Sequence, residues 1–79
     1  MTPEEIAALT AQLVTLVKDW NYHDLISDEQ KKECREIGRK LNAIGGMVAM
    51  RDAYYAAKAT NRCASTLDAY WDGIGEWRW

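Results

Sequence analysis

The sequence has no apolar run long enough to cross a bilayer, no basic excess, a single histidine and only two cysteines. Each shortage removes a class of protein. The longest mostly apolar stretch, Ile6 to Val17, is interrupted by Thr10, Gln12 and Thr15, whereas a membrane helix needs roughly 20 apolar residues. The opening Met1-Thr2-Pro3-Glu4-Glu5 carries acids where a secretory signal would carry bases, so a cytoplasmic chain without a signal peptide is expected. Ten basic against twelve acidic residues leave a net charge of −2. Nucleic-acid binders draw affinity from counterion release and usually carry a basic excess, so a nucleic-acid partner is disfavoured and a protein partner or small ligand favoured.

Cys34 and Cys63, 29 positions apart, form no metal-binding spacing. A reduced pair of thiols packed as small hydrophobes is the reading expected of a cytoplasmic chain. There is no Cys-x-x-Cys, no paired histidine and no dense acidic loop. Asp72-Gly73-Ile74-Gly75-Glu76 has the glycines of a calcium turn with too few acids. His23, flanked by Asn21 and Asp24, is the sole imidazole available as a general base, and nothing in the sequence brings it to a nucleophile. No catalytic residue, metal ligand or cofactor is therefore assigned. A small enzyme or ligand carrier would require a pocket of roughly 300 Å³ or more.

What the sequence does contain is helix grammar. The 79 residues suffice for one domain, covering the whole chain. Thr2-Pro3-Glu4-Glu5 supplies a cap hydroxyl, a proline at the first helical position and a glutamate three residues after the cap. Ile6, Leu9, Leu13, Leu16 or Val17, and Trp20 then draw one apolar stripe at steps of three and four. Ser27 to Gln30 repeats the start signal, and a second stripe follows at Cys34, Ile37, Leu41 and Ile44. Lys32–Glu36 and Glu36–Lys40 are spaced for pairing across turns. Glycine readily adopts the left-handed conformation, so Gly45-Gly46 predicts the end of this helix, the alternative being a kink in one long helix. A third helix is predicted from Met47 to Thr60 with Met47, Met50, Tyr54 and Ala57 inward and Val48, Ala53 and Ala56 widening that face. A short fourth is predicted over Ala64 to Asp72. The expected fold is all-α, a small bundle of three longer helices plus the short C-terminal helix and an aromatic tail.

Two surfaces are candidates for binding. Lys31, Lys32, Arg35, Arg39 and Lys40 suggest a phosphate-facing stripe, but Glu29, Glu33 and Glu36 interleave with them and weaken the field. The tryptophans are the more unusual feature, since Trp71, Trp77 and Trp79 fall within the last nine residues. One reading folds Tyr70, Trp71, Ile74 and Trp77 back to plug the open end of the bundle. The other makes Trp77-Arg78-Trp79 a contact patch, because Trp and Arg are enriched at interface hot spots. Tyr55, about 100° around the helix from the inward Tyr54, joins that candidate partner-binding set.

The pattern Ile37-Gly38-x-x-Leu41-Asn42-x-x-Gly45-Gly46-Met47, with Met50, Tyr54 and the closing Trp71-Asp72-Gly73-Ile74-Gly75-x-Trp77, resembles a group of small uncharacterised bacterial and phage-associated proteins. It covers roughly the second half of the chain. The resemblance implies no activity and no functional residue. The expected function is a non-enzymatic protein-binding module, in its sharper form a mobile-element inhibitor of a host protein machine. A small nucleic-acid-associated regulator and a homo-oligomeric ligand-binding protein are the alternatives.

Overall fold

In a computed structural model, which describes residues 3–18, 20 and 27–78, the chain is all-α, with no strand among those residues. Helix α1 runs Pro3–Val17 and helix α2 Asp28–Thr60. A 3₁₀ segment, Arg62–Thr66, leads into the four-residue helix α3, Leu67–Tyr70. No helix among the described residues is long and apolar enough to cross a membrane.

The start of α2 follows its sequence signal closely. Ser27 sits in extended backbone, and its hydroxyl accepts the Gln30 amide at 3.2 Å. One of the four unpartnered amides of the first turn is thereby satisfied. The glycine pair produces a sharp break within the helical run. Gly45 keeps helical geometry, while Gly46 takes φ 65°, ψ −156°, a region essentially reserved for glycine. A straight helix of 33 residues would be about 50 Å long, yet the longest extent of the molecule is 37 Å. The run therefore bends at Gly46 into a first and a second half.

Helix α1 lies against both halves. Beside the first half, Glu5 and Ala8 share a groove with Ala43 and Ile44, while Thr15 and Leu16 share one with Glu33 and Glu36. Asn61, just past the end of α2, secures the other end of α1. Its amide nitrogen donates to the carbonyls of Val17 at 2.8 Å and Trp20 at 2.7 Å, and more weakly to that of Lys18 at 3.3 Å. Its Oδ1 accepts from the Cys63 amide at 3.1 Å. One side chain thus satisfies the last carbonyls of α1 and starts the 3₁₀ turn.

The core consists of Leu9, Leu13, Val17 and Trp20 from the first stripe and Cys34, Ile37 and Leu41 from the second. The second half of α2 adds Ala49, Met50, Ala53, Tyr54 and Ala57. Ile6, Leu16, Ile44 and Met47 are half-buried against it. Val48, expected to widen the inward face, is instead 69% exposed, and Ala49 takes the inward position. Val48 stands two residues before Met50, about 200° around the helix, so it falls on the far side from Met50, Tyr54 and Ala57. Glu36 pairs with Arg39 at 3.6 Å rather than with Lys32 or Lys40. The short C-terminal helix is also smaller than the predicted Ala64–Asp72, since Asn61 starts a tighter 3₁₀ turn in its place.

Two substitutions test these joints. Gly46→Ala meets no atom within 4 Å, so its cost is purely conformational, about 1–3 kcal/mol in a urea melt. Asn61→Asp keeps the shape but aims oxygen instead of N–H at three carbonyls, and should cost a further 1–3 kcal/mol or so by the same measurement.

Candidate functional site

The tail docks along the side of α2 rather than across an open end of the molecule. Arg35 donates to the Tyr70 carbonyl. Trp71 follows, fully buried, with its indole N–H donating to the Cys34 carbonyl at 2.8 Å. Its ring rests where a side chain on Gly38 would stand, since a Cβ there would lie 2.7 Å from the indole nitrogen. Further along, Gly75 comes equally close to Asn42. Turn hydrogen bonds from Ile74 to the Trp71 carbonyl and from Gly73 to the Trp77 carbonyl, both 3.0 Å, curl the segment. Ile74 and Trp77 are thereby returned to the core.

This placement corrects the reading of Trp77 as a contact residue. Only 5% of it is exposed, and its indole packs edge-on against Trp71 at 5.1 Å and Tyr54 at 5.5 Å. Its N–H is taken by the backbone carbonyl of Asp68 at 3.1 Å and the carboxylate at 3.0 Å. A ring so enclosed has no face left for a partner. Arg78 is exposed, with its guanidinium donating to the Trp77 carbonyl at 3.1 Å. Trp79 lies outside the described residues, as does His23 with Asn21 and Asp24. Of the four candidate contact residues, Tyr55 and Arg78 are exposed.

Tyr55 is 57% exposed and shares the exposed large hydrophobic surface with Val48. The two stand seven residues apart on the second half of α2, two helical turns along one face. Exposed Arg51 and Asp52 lie between them and exposed Ala59 one turn beyond. The Tyr55 ring tilts against Tyr54 at 5.5 Å, which steadies it. Burial first, then the Asp68 carboxylate and Tyr55, push the Tyr54 hydroxyl above its ordinary range. Tyr54 therefore stays neutral while Lys58 lies 5.8 Å from its ring centre.

The remaining candidates are inert or scattered. Cys34 and Cys63 are both free thiols. Burial, then the Glu33 charge, push the Cys34 thiol from 9.0 to about 12, so it holds almost no nucleophilic thiolate at neutral pH. Among the described residues no three of His, Cys, Asp and Glu converge as a metal site would need. The basic residues of α2 do not form a continuous stripe. Arg35 is tied to the tail and Arg39 to Glu36, while Lys40 shares its groove with Glu33 and Glu36.

Two open grooves follow the seam between α1 and the first half of α2, with volumes near 610 and 360 Å³. Both are large enough for a small ligand. The smaller is walled mainly by Ala8, Leu9, Ala43 and Ile44, with Glu5, Gln12 and Lys40 around it. Comparison of the chain with family models, with curated proteins and with solved structures finds no match to any of them. The likeness drawn on the Trp71–Trp77 tail accordingly assigns no residue a role.

Two outcomes follow from this geometry. Alkylation of the native protein near pH 8 should modify Cys63 and spare Cys34 until the chain unfolds, as read by peptide mass spectrometry. Because its folded pKa is the raised one, Cys34 should also make stability fall as pH climbs from 9.0 toward 12. Separately, Trp77→Ala should cost about 3 kcal/mol or more in a urea melt, the signature of a core residue.

Proposed function

We propose that this chain is a non-enzymatic, cytoplasmic protein-binding module, a three-helix bundle clasped by its own aromatic tail. It meets its partner through the outer face of the second half of α2. One observation carries this reading: the two exposed large hydrophobics among the described residues, Val48 and Tyr55, lie on a single helical face seven residues apart. Isolated surface hydrophobes need no explanation, but two at that spacing on a rigid helix match the way a helix presents anchors to a groove. Arg51 between them adds a residue type enriched with Tyr at binding hot spots. Inhibition of a host protein machine by a mobile-element protein is the narrower form of the same proposal, since it needs only a compact binding face.

The immobilised full chain and a Val48→Asp/Tyr55→Ala variant should be exposed to the same source-cell lysate. Both positions are solvent-facing, so the variant should keep its helical circular dichroism. A protein retained by the wild type and lost by the folded variant is the expected result. Identical capture by both would place the binding face elsewhere.

A further inference from the structure

Helix α1 differs from α2 in one respect that its own fold does not require. From Ile6 to Val17 it runs twelve residues without a charged side chain, the longest such stretch in the chain. A surface helix ordinarily carries charged and polar residues opposite its buried stripe. The first half of α2 obeys that rule, exposing Lys31, Lys32, Glu33, Glu36, Arg39 and Lys40. On α1 the positions opposite Leu9, Leu13 and Val17 are Ala8, Ala11 and Thr15, all exposed. These small side chains let a second backbone approach closely.

The spacing and the end charges identify what approaches. Glu4, Ala8, Ala11, Thr15 and Lys18 are all exposed. Their alternating steps of four and three are those of a coiled-coil seam. The acid stands seven residues before Ala11 and the base seven residues after it. An antiparallel pair of α1 helices crossing at Ala11 therefore sets each Glu4 opposite the other copy's Lys18. A parallel pair would set acid on acid and base on base. Antiparallel pairing also opposes the two helix dipoles. We propose that the exposed face of α1 is a self-association surface, on which two copies of this chain pair antiparallel about a two-fold axis at Ala11.

The contact is separate from the Val48–Tyr55 face, so the dimer would present two such faces. A helix of 15 residues offers a strip about 22 Å long. That is narrow beside the ~800 Å² per partner of a standard interface. Association is accordingly reversible, and the groove walls at Gln12, Lys40 and Ile44 widen the strip.

Sedimentation of the full chain from low micromolar to near-millimolar concentration tests this. The expected result is a concentration-dependent monomer–dimer equilibrium. Ala11→Glu places two carboxylates face to face on the axis and should raise the dissociation constant by at least about tenfold. Glu4→Lys and Lys18→Glu should each weaken the dimer, and the double swap should restore it. That rescue cannot arise from a stronger helix, because both changes oppose the α1 dipole. Circular dichroism confirms that each variant is folded. A monomer throughout, a dimer indifferent to Ala11→Glu, or a double swap that fails to restore pairing would each overturn the proposal. None of these outcomes bears on the α2 face.

Discussion

The indole of Trp71 occupies the space where Gly38 has no side chain, and its N–H reaches the Cys34 carbonyl one turn earlier. A glycine inside an exposed helix costs about 1 kcal/mol against alanine. Here that cost is offset by the burial of a complete tryptophan, and large side chains buried from water contribute more than the propensity loss. Trp77 then leans edge-on against Trp71 and against Tyr54. The tail is thereby joined to both halves of α2. Without the gap at Gly38 the Trp71 ring could not approach this closely.

A chain this short has little core to divide between fold and function. Few domains of this size gain more than about 3–5 kcal/mol from a single core. Trp20, Trp71 and Trp77 are all committed to it, as is the Asn61 amide that gathers three carbonyls at the end of α1. The surfaces left over are modest: a two-anchor face on α2 and an uncharged strip on α1. Both suit recognition of another folded surface, where shape and a few anchors suffice.

The site was less legible than the fold. Tyr55 was recognisable as an outward residue because adjacent helical positions diverge by about 100°. Its partner Val48 was not, because it was grouped with the inward face although it stands two residues before Met50, about 200° around the helix. Trp77 was misplaced for a different reason. A tryptophan near a terminus reads equally as plug or patch, and Trp77 is decided by Tyr54, 23 positions away, and by Trp71, whose own place depends on Gly38. A glycine in the interior of a strong helical pattern was the available signal, since such a glycine usually has a packing reason.

By itself the sequence determined the all-helical class and the local signals of α1 and α2. The Ser27 cap, the inward stripes of α1 and early α2, and the break at the glycine pair are local, set by backbone preference and periodicity over a few residues. The tertiary structure decided which side of α2 receives the tail and which of the tail's aromatic residues are buried. Those outcomes depend on contacts between residues far apart in sequence. Whether a large ring is buried is settled by the shape of the surface it meets, and that surface exists only once the helices have packed.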